Sequence, residues 1–239
     1  MSSDFGSRTG PPLGPEEIAL HGGSMTAVWR VGETVRRATG RWTPAVHALL
    51  DHLEGAGFDG APRALGIDTA GREILTFLSG ASDWPKNDDA VLAVGRLLRR
   101  YHDAVATFVP APGMPWRIDR PLGPGEIVCH NDLQPANTVF RDGEPVAFID
   151  WDRFCLHMGF KTPPPRARRL RLLCDGYGLH DCPEVLSALH ELQHQDLDGI
   201  QRLGRAGVSP FAHFLDGGED QYVQADIDWL AANRIALSS

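Results

Sequence analysis

The sequence predicts an α+β chain in two lobes: a small antiparallel sheet with one helix over residues 16–80, then a mainly helical half over 81–239. Three observations carry this. Apolar residues alternate in short runs between residues 18 and 37 and again before Gly80, with one helical stripe between them. Asp142-Gly143, flanked by apolar runs, is a strong hairpin signal. From Pro165 onward the apolar spacing is helical almost to the end.

Taken in order, residues 1–15 are rich in Gly, Pro and Ser and read as a flexible tail. Residues 18–37 read as short strands broken by Gly22-Gly23 and Gly32-Glu33, with Val28, Arg30 and Val35 alternating as half-buried strands do. Thr43 is the expected N-cap of the first helix and Pro44 its first helical residue. The stripe Val46, Leu49, Leu50 and Leu53 follows, with Gly55 and Gly57 as the stop. APRALGID and REILTFLSG read as two further strands, which close the first lobe near Gly80. Asn87 opens a long helix whose apolar face holds Val91, Val94, Leu98, Tyr101 and Val105. A Pro/Gly-rich connector then leads to Ile127–Cys129, expected as a short strand.

Composition excludes several functions. The 239 residues hold a formal net charge of −8, without the basic face a nucleic-acid binder shows. The acidic balance suits a cationic partner. No apolar run is long enough to span a membrane, and the N-terminus lacks the basic start and apolar stretch of a secretory signal. The four cysteines form no C-x-x-C pair, which argues against zinc and for reduced thiols in a cytoplasm. Nothing in the sequence fixes the oligomeric state.

The chemistry sits in IVCHNDLQPANTVFRDGEPVAFIDWD, residues 127–152. A strand leads into a polar loop from His130 to Ala136, Asn137 opens a second strand, and the hairpin returns to deliver Asp150. Two carboxylates and a carboxamide converge on one hairpin edge. Phosphoryl transfer needs such a set: one carboxylate orients an attacking hydroxyl and takes its proton, and an oxygen-rich pair holds Mg²⁺ against nucleotide phosphates. Asn137 stands five residues after Asp132, the spacing of a kinase catalytic loop, and Asp150 follows in the metal-binding place. The competing reading makes these surface turn residues, with Asp150 a strand-end cap.

HNDLQPANTVF with FIDWD resembles the aminoglycoside phosphotransferase and choline kinase group, whose loop reads H-G-D-x-x-x-x-N and whose metal Asp sits in I-D-W/F. The resemblance implies a bilobal protein-kinase-like fold, ATP or GTP as donor, Mg²⁺ as cofactor and a small-molecule hydroxyl as acceptor. By position, Asp132 becomes the catalytic base, His130 the brace of its loop, and Asn137 and Asp150 the metal ligands. Asn131 replaces the usual Gly. Gly23 and Ser24 fall in the loop expected over the donor phosphates. Thr76 and Leu78 fall in the Ile74–Gly80 hinge expected beside the base.

Relatives grip the donor with a lysine on the third strand, oriented by a helix Glu. This chain has only Lys86 and Lys161, both outside that lobe. Arg36 is the expected substitute, with Arg37 the runner-up, and the helix offers His47 near the place of the Glu. After Asp152 the segment looks shorter than in relatives, and no spacing singles out an acceptor ligand. A kinase-like binding protein without turnover is the alternative. A protein kinase fits less well, because the loop lacks the Arg of H-R-D and no A-P-E-like segment follows Asp150.

Overall fold

A computed structural model of the chain describes residues 17–20, 27–82, 87–116, 126–130, 132–133, 135–151, 166–179, 182–209 and 211–238. The first sheet contains β1 (Glu17–Leu20), β2 (Val28–Val31), β3 (Thr34–Ala38), β4 (Ala64–Ile67) and β5 (Arg72–Thr76). Its order is β1-β2-β3-β5-β4 and all four pairings are antiparallel. The one helix among the described residues of this part, α1 (Thr43–Gly55), lies between β3 and β4 in the chain. Its Val46, Leu49, Leu50 and Leu53 are all buried, as their spacing predicts.

The start of α1 differs from expectation. Trp42, not Thr43, occupies the cap position, and Thr43 is already helical. Thr43 Oγ1 accepts a hydrogen bond from the Gly40 N–H at 2.9 Å, so the hydroxyl closes the preceding turn instead of capping the helix. Asn87 does cap α2 (Asp88–Val105): its side chain accepts from the Ala90 N–H.

The second sheet is built from β6 (Ala81–Ser82), β7 (Thr138–Arg141) and β8 (Glu144–Phe148) in the order β6-β7-β8. Asp142 (φ +52°) and Gly143 (φ +84°) make the tight turn between β7 and β8. Both occupy left-handed backbone, the requirement of a twist-matched two-residue hairpin loop and the reason for the Asp-Gly dipeptide. Ile127–Cys129 is not a strand. The Val128 carbonyl takes its hydrogen bond from the Tyr101 hydroxyl at 2.6 Å, a side-chain partner in place of a ladder.

The remaining described elements are helices: α3 (Arg166–Tyr177), α4 (Cys182–Arg205), α5 (Phe211–Asp216) and α6 (Glu219–Ser238). Among the described residues no helix is long and apolar enough to cross a membrane. Helices α2 and α3 cross at glycine. A Cβ on Gly176 would lie 2.1 Å from the Leu92 carbonyl oxygen, and one on Gly95 2.4 Å from that of Leu173.

One core cluster joins the two parts. It gathers Leu49, Leu50 and Leu53 of α1, Leu75 of β5, Leu97 and Tyr101 of α2, Phe148 of β8, and Trp151. Burying each such side chain contributes about 1.5–3 kcal/mol, and this cluster frames the loop that carries Asp132.

Candidate active site

The loop from His130 to Asn137 closes on itself through side chains. His130 Nε2 lies 3.0 Å from the Ile149 carbonyl oxygen, and the Asp132 N–H donates to His130 Nδ1 at 3.3 Å. A carbonyl only accepts and an amide N–H only donates, so the imidazole is the neutral tautomer with its proton on Nε2. Its ring packs on Trp151 with centroids 4.6 Å apart. Trp151 in turn donates from Nε1 to the Phe148 carbonyl.

Asn137 ends the single 3₁₀ turn Pro135–Asn137 and ties the loop to both of its neighbours. Its Nδ2 donates to the Asp132 carbonyl oxygen at 3.0 Å and to Asp132 Oδ2 at 2.9 Å. Its backbone carbonyl accepts from the Ile149 N–H at 2.9 Å. The next N–H back, that of Phe148, donates to Gly60 O. The chain thus leaves β8 held on both sides and arrives at Asp150. Asp132 and Asn137 are buried and Asp150 is half-buried. Asp150 has φ +67°, left-handed backbone that costs a non-glycine residue energy and is enriched for Asp and Asn.

The strand β3 contributes a cation, and it is not the expected one. Strand residues alternate between faces. Val35 packs against the core, so Arg37 shares its face and Arg36 takes the other. Arg37 Nη1 donates to Asp150 Oδ1 at 2.8 Å, and Arg37 Nε donates to Glu73 Oε1. Arg36 instead reaches Thr34 Oγ1 and lies 3.7 Å from Asp68, within a charged network that includes Arg72 and Glu17. Arg36, the expected donor-side residue, thus points away from Asp150, and it is the runner-up Arg37 that reaches it.

Glu73 was not singled out by the sequence. It stands directly opposite Arg37 in the β3–β5 ladder, and its Oε2 lies 3.0 Å from His47 Nε2 of α1. The signal existed: in REILT, Glu73 and Leu75 share a face by period-2 alternation, which puts a carboxylate on the core side of a strand. His47 faces this pair and not the lobe surface.

The other expected donor residues divide. Gly23 and Ser24 lie outside the described residues. Thr76 ends β5, and its Oγ1 accepts from the Arg63 N–H at 2.9 Å, so the hydroxyl serves the β4 side. Leu78 is half-buried in the connection from β5 to β6. The segment after Asp152, read as shortened, also lies outside the described residues up to Arg166.

Residues 116–158 match the family described as the phosphotransferase enzyme family. A trifolitoxin immunity protein from Rhizobium leguminosarum bv. trifolii is 37% identical over 195 residues, 69% of this chain and 75% of that protein. The chain belongs to the aminoglycoside phosphotransferase and choline kinase-like family. The fold agrees: a choline/ethanolamine kinase family protein from Mesorhizobium loti superposes with a TM-score of 0.54 at 18% identity, over 96% of this chain and 94% of that one. The bilobal, protein-kinase-like architecture expected of a family member is the one observed.

For a member of this family the implied ligands are Mg²⁺ and a nucleotide, and the donor set fits a hard cation. Both partners of the Asn137 amide nitrogen are acceptors, so its NH₂ faces Asp132 and its Oδ1 is turned to the other side. That oxygen and the Asp150 carboxylate are donors of the kind that would hold such a cation.

Proposed function

We propose that this chain is a Mg²⁺-dependent phosphotransferase that moves the terminal phosphoryl group of ATP or GTP to a hydroxyl of a small molecule. The observation that carries this reading is the bridge made by Asn137, which fixes the Asp132 carboxylate through Nδ2 and the approach to Asp150 through its carbonyl. Bound Mg²⁺, held by Asn137 and Asp150, would neutralise charge on the donor phosphates.

The chain's own residues supply the remainder. Asp132 orients the acceptor hydroxyl and takes its proton as the new oxygen–phosphorus bond forms and the bond to the departing nucleoside diphosphate breaks. His130 keeps the loop in register by its two bonds to Ile149 and Asp132. Arg37 presents guanidinium donors beside Asp150, where phosphate oxygens would lie, and this geometry suits arginine as a phosphate partner. The net charge of −8 favours a cationic acceptor, and the donor nucleotide implies a cytoplasmic setting.

The test is nucleotide binding with and without Mg²⁺, followed by an acceptor screen with wild type, Asp132→Ala and Asp150→Ala. Transfer lost in both variants, with Mg²⁺-dependent binding lost only in Asp150→Ala, is the expected result. Unchanged turnover in Asp132→Ala would remove the proposed base.

The name of the 37% identical relative favours a second reading of biological role, protection from an inhibitory compound, with or without turnover. Protection that survives Asp132→Ala would mark the chain as a binding protein. Protection that disappears with that carboxylate would mark it as a modifying enzyme.

A further inference from the structure

We propose that Glu73 is the positioning residue that aims Arg37, and that the sheet, not helix α1, carries this anchor. The proposal rests on the phosphotransfer reading above and adds to it the residue that orients the donor-side cation.

Glu73 and Arg37 are Cα partners in the antiparallel β3–β5 ladder, so their separation is set by backbone hydrogen bonds on both strands. Both side chains are almost fully buried, at 3% and 8% exposure. A carboxylate so enclosed is stable only when its oxygens are paired, and each one is: Oε1 takes Arg37 Nε and Oε2 takes His47 Nε2.

The guanidinium is planar. With Nε fixed on Glu73, rotation about the side chain's last bonds is blocked and Nη1 is directed at Asp150. Glu73 thereby aims the cation at Asp150. Among the described contacts, helix α1 meets this arrangement through His47, on the far oxygen of Glu73. A shift of α1 would disturb His47 first and leave the cross-strand pair intact. Arginine is required for this geometry. A lysine ammonium has no Nε arm to hold Glu73 while a second nitrogen reaches Asp150.

The first measurement needs no nucleotide. In ¹H–¹⁵N spectra of the full chain, the Arg37 Nε–H resonance should be shifted by its carboxylate partner in wild type and in His47→Gln. In Glu73→Gln it should move toward the position of a guanidinium whose Nε–H lacks a carboxylate partner. The second measurement is single-turnover phosphoryl transfer with a thermal melt of each variant. Glu73→Gln should slow transfer about tenfold in the wild-type background, and by less than about twofold in an Arg37→Gln background, because a residue that acts through Arg37 has nothing left to aim.

Equal slowing in both backgrounds overturns the proposal. So does an Arg37 resonance that Glu73→Gln leaves in place, or that His47→Gln moves as far. Should Glu73→Gln fail to fold, Glu73→Asp, which keeps the charge and withdraws it by one methylene, takes its place with the same expected outcomes. A wild-type chain that transfers no phosphoryl group would defeat the phosphotransfer reading, and the resonance alone would then decide this one.

Discussion

Arg36 and Arg37 are adjacent in the chain and sit in different electrostatic worlds. Arg37 faces Glu73 and Asp150 across buried contacts, and Arg36 faces Asp68 on the other side of β3. Their substitutions should separate accordingly. Arg37→Ala is expected to lower phosphoryl transfer on the order of a hundredfold, and Arg36→Ala to leave the donor site intact and lower only thermal stability. Steady-state kinetics and a melt on each variant check this. Asp132→Asn keeps the shape of the side chain and removes the proposed base. It should lower kcat by about 10²–10⁴-fold while Mg²⁺-nucleotide binding, read by calorimetry, persists.

These residues also show how far the sequence could be read. The placement of Asp132, Asn137 and Asp150 about one hairpin was legible because loop, turn and strand each have local signals. The choice between Arg36 and Arg37 turned on one strand face, and the alternation Val35–Arg37 already contained it. The burial of Glu73 was legible in the same way, but its pairing with Arg37 was not. Its partner is 36 positions away, and cross-strand register is a tertiary fact that no local pattern states.

At the scale of single elements, α2 links packing to the site. Its Tyr101 is fully buried and holds the Val128 carbonyl, two residues before His130. The helix is pressed against α3 at Gly95 and Gly176, where any Cβ would collide with backbone. Gly176→Ala should therefore push the helices apart and cost about 1–3 kcal/mol in a urea melt. Some loss of activity should accompany it, because Tyr101 moves with α2.

Helix α4 carries a different kind of cost. Asp196 is buried, its Oδ1 has no hydrogen-bond partner among the described residues, and burial pushes its carboxyl up to about 7. The unfolded chain would release that proton near pH 4. Between those values the folded form binds more protons than the unfolded one, so this residue makes stability fall as pH rises from about 4 to about 7. Asp196→Asn should remove that part of the slope, and urea melts at pH 5 and pH 8 would show it as a smaller difference than in wild type.

Across the whole molecule, the core that contains α1, β5, α2, Phe148 and Trp151 spans both sheets. The Gly60–Phe148 bond and the Arg37–Asp150 ion pair cross the same boundary. The region that reads from sequence as a join between two lobes is therefore among the best-packed parts of the chain. A single cooperative transition is the expected thermal behaviour, with calorimetric and van't Hoff enthalpies in agreement. Two separated transitions would mean the halves are independent. The two-lobed pattern was legible because sheet and helix periodicities occupy different stretches. The continuity of the core was not, since Leu50, Tyr101 and Trp151 meet only after folding.

The left-handed backbone at Asp150 has a practical consequence for anyone who wishes to silence this protein without destroying it. Asn tolerates that conformation nearly as well as Asp, whereas a β-branched residue does not. Asp150→Asn should yield a folded chain that has lost a charge from the proposed metal site, suited to trapping an acceptor for identification. Asp150→Val should yield a chain whose defect is partly one of folding, and its inactivity would say little about chemistry.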